Sequence, residues 1–170
     1  MILGIDVSTS KIGYCVIDDK QNLIEVKVIK FKDGHLEERA MKFYLGELRR
    51  IKHTYNITHI RIEEPFSMFS GGKTTAGTMS KLQRFNGMIS VLSSLLFGLQ
   101  PTLVPSRTAR TRCGIKIKRG EDTKKKIIQW VSQKFSKDFI VELTSHGNPK
   151  PGTDDMADAI VVALSHFELR

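Results

Sequence analysis

The sequence predicts an α/β domain on a mixed five-stranded sheet: three antiparallel strands, then alternating strands and helices, with helices flanking the sheet. Three observations carry this. Residues 1–31 hold three short runs rich in apolar and β-branched residues, divided by polar turns. Two further runs of that kind, at 57–65 and 101–105, are separated by segments with helical spacing. No repeat, low-complexity tract or linker divides the 170 residues, so one domain over 1–170 is expected.

The elements follow in order. "MILGIDV" is a strand, "KIGYCVIDD" a second, and "DDKQN" the turn after it. "LIEVKVIKF" alternates apolar and polar residues, as a strand with one wet face does. Tight turns between the three predict an antiparallel meander. Over 35–55 the residues Leu36, Ala40, Phe43, Leu48, Ile51 and Tyr55 form one helical stripe. "ITHIRIEEP" is a fourth strand, stopped by Pro65. "FSMFSGGKTTAG" reads as a loop, and 78–99 as a long helix. "PTLVP" is a short fifth strand, a helix covers roughly "EDTKKKIIQWVSQKF", and the Gly/Pro loop "TSHGNPKPGT" leads into a last, apolar helix.

Composition is that of an ordinary soluble domain, 40% hydrophobic and 26% charged. Cys15 and Cys113 stand far apart, with neither a CxxC pair nor zinc-ligand spacing. The start lacks a basic stretch before a long apolar run, and the apolar stretch around "MISVLSSLLFGL" is too short and interrupted to span a bilayer. A cytoplasmic location is therefore expected.

Charge says more. The net charge is +9 with a pI of about 9.7, which points to a polyanionic partner. Arg107, Arg110, Arg112, Lys116, Lys118, Arg119, Lys124, Lys125 and Lys126 face only Glu121 and Asp122, a local charge of +7 over 107–126. Few large apolar anchors interleave this run, which favours nucleic acid over a membrane surface.

The acids are placed unusually. Asp6 interrupts an apolar strand, and a buried carboxylate needs a partner or a cation. Glu63 and Glu64 end the fourth strand. Asp154, Asp155 and Asp158 open the last helix, where one capping Asp would suffice. Asp155 and Asp158, three apart, share a helix face, and Asp154 reads as the cap. Acids on the first strand, at the end of the fourth and at the start of a C-terminal helix converge in a sheet of this order. Carboxylates without a His or Cys cluster suit Mg²⁺ or Mn²⁺, and two such ions about 4 Å apart can activate a water and stabilise the leaving oxygen of a phosphodiester.

Taken together, the motifs resemble those of the RuvC family of Holliday junction resolvases, particularly its shorter phage-type members, with a ribonuclease H-like fold. "ILGIDVSTSKIGYCVI" resembles the family's first strand pair, with Asp6 in the metal position. "RIEEPF" resembles its strand-end Glu motif, which carries a ligand onto Glu63 and a junction-contacting aromatic onto Phe66. Phe69 and Lys73 in the same loop are further DNA-contact candidates. "DDMADAIVVALSH" resembles its paired aspartates, which carries the last two ligands onto Asp155 and Asp158. The resemblance implies a Mg²⁺- or Mn²⁺-dependent endonuclease with two ions per site, acting on four-way junction DNA, and it is compatible with a phage-encoded protein. Strand alternation alone leaves Glu63 and Glu64 open, and Asp154, i,i+4 with Asp158, remains an alternative to Asp155.

A four-way junction is nearly two-fold symmetric and one chain carries one acidic site, so a homodimer is expected. On the 78–99 helix, Leu82, Phe85, Ile89, Leu92 and Leu96 form one stripe, with Met88, Val91 and Leu95 beside it, one for the sheet and one for a partner. Competing readings are a broader fork and flap nuclease, a RuvC-like nuclease acting on RNA and, further off, a non-catalytic DNA-binding module. "GIDVSTS" also resembles the phosphate loop of sugar kinases and actin-like ATPases, but those clasp nucleotide between two such domains. His146, in the loop before the acidic helix, and His166 are assigned no role, and Trp130 reads as core.

Overall fold

The computed structural model describes residues 1–65 and 75–167. The loop candidates Phe66, Phe69 and Lys73 lie outside the described residues. Five strands form one sheet in the order β3-β2-β1-β4-β5: β1 Ile2–Val7, β2 Lys11–Ile17, β3 Leu23–Lys30, β4 His59–Glu63 and β5 Thr102–Val104. β1, β2 and β3 pair antiparallel, while β4 and β5 add parallel to β1. The expected meander and alternating half are both present.

Both faces of the sheet are covered, so its central strands are apolar on both sides. α6 (Thr153–Leu164) crosses one face, packed on β1, β2 and β4, with α4 (Ser106–Arg112) and α5 (Thr123–Lys134) beyond it. α1 (Leu36–Phe43), α2 (Arg49–Thr54) and α3 (Ala76–Phe97) belong to the layer on the other face. α6 lies unusually close. A Cβ on Gly4 would stand 2.4 Å from the Ala159 carbonyl oxygen, and one on Gly13 2.2 Å from that of Asp155. Only glycine permits this approach.

Two features depart from the sequence reading. The helix expected over 35–55 is broken by a π-helical turn at Tyr44–Leu48. Phe43 and Leu48 are five residues apart, a step the i→i+5 turn accommodates, and both are fully buried. The turn also brings Glu47 to the Tyr14 hydroxyl, which donates to it at 2.5 Å. The second departure is α4, in a basic stretch where no element was expected. "SRTARTR" has no apolar stripe, and only Ala109 is buried in it. Trp130 is partly buried against the core, as expected.

Candidate metal centre

Alternation along β1 turns Leu3, Ile5 and Val7 to the α1–α3 layer and Ile2, Gly4 and Asp6 toward α6. β4 runs parallel alongside with Ile5 opposite Ile62, which brings Glu63 next to Asp6. Arg61, in phase with Glu63, donates from Nε to the Val162 carbonyl of α6 at 3.2 Å. Glu64 therefore falls in phase with Ile60 and Ile62, and it is exposed just past the strand end. α6 supplies Asp158. One carboxylate oxygen from each of Asp6, Glu63 and Asp158 lies within 4.8 Å of the other two.

The electrostatics of this trio are unfavourable for a protein alone. Burial, then repulsion from Glu63 and Asp158, raises the Asp6 carboxyl well above its ordinary range. Burial and Asp158 push Glu63 to about 8, against relief from Arg110 and a hydrogen bond with Ser106. Burial, then Asp154, pushes Asp158 to about 6. Among the described residues none of the three makes an ion pair, whereas their neighbours on α6 do. An all-oxygen donor set with uncompensated charge fits a hard divalent cation.

Asp155 stands apart from the trio. It is buried, and its Oδ2 accepts from Lys11 Nζ at 2.6 Å. Asp154 is not the cap it was expected to be. Gly152 holds that position without a side-chain bond, and Asp154 sits in the first turn, paired with Lys124. Burial would raise its carboxyl, but the Lys124 bond and charge outweigh it and hold Asp154 at about 2.

Several residues of the site had no sequence signal. Lys11 meets Asp155 across 144 positions of chain. Asn86, buried on α3, donates from Nδ2 to the Glu63 carbonyl at 2.9 Å and fixes the end of β4. A lone Asn among apolar residues was the one available hint. Ser106 comes from α4, where no helix was expected, as does Arg110, which the sequence placed in the basic run and not beside Glu63.

The basic segment divides. Arg107, Arg110 and Thr123 line a polar cleft with Thr111, and Arg107, Lys116, Lys118, Arg119 and Lys125 are exposed. Arg112 points elsewhere, donating from Nη1 to the Ser165 carbonyl beyond the end of α6 at 3.3 Å. Lys126 pairs with Glu121. His146 is exposed, with Nδ1 3.2 Å from Ser145 Oγ. His166 packs tilted against His59, ring centroids 4.3 Å apart, at the end of β4 away from Glu63.

Fold and carboxylates together define a class: a ribonuclease H-like domain with acids from its first strand, its fourth strand and its C-terminal helix at one point. Known proteins resemble the chain in sequence and in fold. The chain is 29% identical to the crossover junction endodeoxyribonuclease RuvC of Fusobacterium nucleatum, across 98% of this chain and 79% of that one. It is 24% identical to RuvC of a Sulfurovum species, across 98% and 94%. T. thermophilus RuvC, solved in complex with a Holliday junction substrate, superposes with a TM-score of 0.69 at 16% identity, across 97% of this chain and 90% of that one. No protein-family model matches. The chain is RuvC-like in sequence and in fold over nearly its whole length. No helix among the described residues is long and apolar enough to cross a membrane.

Proposed function

We propose that this chain is a metal-dependent, structure-selective DNA endonuclease that resolves four-way junctions by paired symmetrical nicks. The observation that carries the reading is the half-buried trio Asp6, Glu63 and Asp158, held within 4.8 Å in a RuvC-like fold and, among the described residues, without an ion pair to any of the three. Asp155, outside the trio and paired with Lys11, is the fourth ligand. Two Mg²⁺ or Mn²⁺ ions on these four carboxylates would supply the activated water and the charge stabilisation for phosphodiester hydrolysis. Ser106 and Asn86 orient Glu63, and Arg110 offsets part of the negative charge a scissile phosphate would meet. The whole of 1–170 acts as one nuclease domain.

Paired nicks require two chains. Met88 of the second α3 stripe is half-buried, but Val91 is 58% and Leu95 76% exposed, next to exposed Met41 and Leu45. That apolar face suits a two-fold contact with a second copy. On a cruciform plasmid in Mg²⁺ the protein is expected to yield linear product within one binding event and to sediment as a dimer. A monomer that yields only nicked circles would make it a single-strand branch nuclease instead.

The 107–126 segment contacts phosphates rather than bases. Replacing Lys124, Lys125 and Lys126 by Ala is expected to weaken junction binding. The plot of log K against log salt should flatten by up to about one unit for each phosphate no longer neutralised. Since Lys124 and Lys126 already carry acid partners, most of the change should come from Lys125. An unchanged slope in the triple variant places the DNA elsewhere.

A further inference from the structure

The end of the sheet that carries Asp6 has a second cationic surface, on the side away from α6. Lys11 begins β2, and its partner across the ladder is Lys30. Phe31 continues the pairing through its N–H to the Ser10 carbonyl at 2.9 Å. The chain then passes Lys32 and enters α1. Arg39, in the first turns of α1, reaches back and donates from Nη1 to the Thr9 carbonyl in the β1–β2 turn, while its Nε is buried without a partner. Lys30, Lys32, Arg39 and Lys42 line one concavity together with Phe31, Lys30 on the α6 side of the sheet with its Cε toward Gly152.

The counter-charge here is thin. Asp33 and Glu38 share the concavity, but Glu38 is committed to the start of α1, where its Oε2 accepts from the His35 N–H at 3.1 Å. Among the described residues none of the four cations makes an ion pair, whereas Lys11, Lys124 and Lys126 on the α6 side all do. Cations fixed around a hollow without internal partners repel one another, and a polyanion relieves that repulsion. An anchored guanidinium suits a phosphate oxygen.

Position identifies the partner. The 107–126 segment approaches the acids from the α6 side of the sheet, and this surface approaches the same sheet end from the α1 side. A nucleic acid with its backbone at the carboxylates therefore has a basic surface in both directions. Resting on the nuclease reading above, we propose that Lys32, Arg39 and Lys42 bind the phosphate backbone of the DNA arm that leaves the cut site on the α1 side. The acids then sit in the middle of a two-sided grip, and the two sides hold different arms of the junction.

The test is the Lys32→Glu/Lys42→Glu double variant, both positions exposed and without partners. Binding to a synthetic four-way junction, and to a duplex the length of one arm, is measured across a salt series without divalent ions. Junction affinity is expected to fall at least ten-fold and the salt slope to flatten by about two units. The duplex, which needs only one side of the grip, should lose less, and the melting temperature should hold. Wild-type affinity and slope on the junction would overturn the proposal and leave the nuclease reading standing. An equal loss on duplex and junction would also overturn it, by reducing the surface to general attraction. A wild-type protein that binds the junction through these lysines but never cuts it would overturn the nuclease reading alone.

Discussion

Asp6→Asn is expected to lower junction cleavage in Mg²⁺ by about a thousand-fold or more, since metal stabilisation of a phosphoryl transition state is worth several kcal/mol and each ~1.4 kcal/mol is tenfold. Binding should survive, or tighten, because one negative charge beside the DNA backbone is gone. Glu63→Gln and Asp158→Asn should behave alike, since the three oxygens share one spot. Glu64→Gln should remain near wild type, because that side chain is exposed beyond the strand end. Near wild-type cleavage by the Asp6, Glu63 and Asp158 variants would sink the assignment. A large loss at Glu64→Gln with none at Glu63→Gln would move the ligand by one residue.

The same substitution should stabilise the metal-free protein. Asp6, Glu63 and Asp158 all carry raised carboxyl pKa values, with Glu63 at about 8 against an ordinary 4.5. Between those pH values the folded chain binds more protons than the unfolded one, so stability falls as pH rises. Below the ordinary carboxylate range the penalty vanishes, and above about 8 the Glu63 part of it is fully present. Asp6→Asn removes one of the repelling charges. In EDTA its melting temperature should exceed wild type at pH 8 and converge with it at pH 4. Mn²⁺ should reverse the order, by stabilising the wild type more. A variant that melts below wild type at pH 8 in EDTA would mean that the trio is not repulsive.

The strands were legible because β-branched runs and tight turns are local signals, and Asp6 stood out because an acid inside such a run has no local explanation. The choice between Glu63 and Glu64 was not legible. Ile60 and Ile62 mark one face of β4 as core, but both faces are covered, and only Arg61 meeting the Val162 carbonyl shows which face looks at α6. Asp155 and Asp158 share a helix face by spacing, yet one turns to Lys11 and the other to Asp6 and Glu63. That division depends on where β2 begins beneath α6, a long-range fact. α4 was missed because its seven residues bury a single alanine, and with it went Ser106 and the place of Arg110 beside Glu63.

The glycine under α6 sets the second large effect. Gly13 lies opposite Asp6 in the β1–β2 ladder, and a Cβ there would stand 2.2 Å from the Asp155 carbonyl oxygen, 2.5 Å from its carbonyl carbon and 3.0 Å from the Met156 nitrogen. All three are backbone atoms of the first turns of α6, so no side chain can swing aside. Gly13→Ala must lift the start of the helix that carries Asp155 and Asp158. Overpacking of this kind costs about 1–3 kcal/mol. The helix shift adds a catalytic loss, because a displacement of about 1 Å at a reacting group can lower turnover roughly a hundred-fold. The variant should therefore melt several degrees lower and cleave far more weakly than its folded fraction at the assay temperature accounts for. Gly77→Ala is the control. That glycine is exposed in the first turn of α3, an added Cβ comes no closer than 4.0 Å to the Thr75 hydroxyl, and Ala is the better helix former. It should leave cleavage unchanged and stability equal or higher. If Gly13→Ala matched the control in both melting temperature and turnover, α6 would not be seated on β2 as described, and the placement of Asp155 and Asp158 against Asp6 would fall with it.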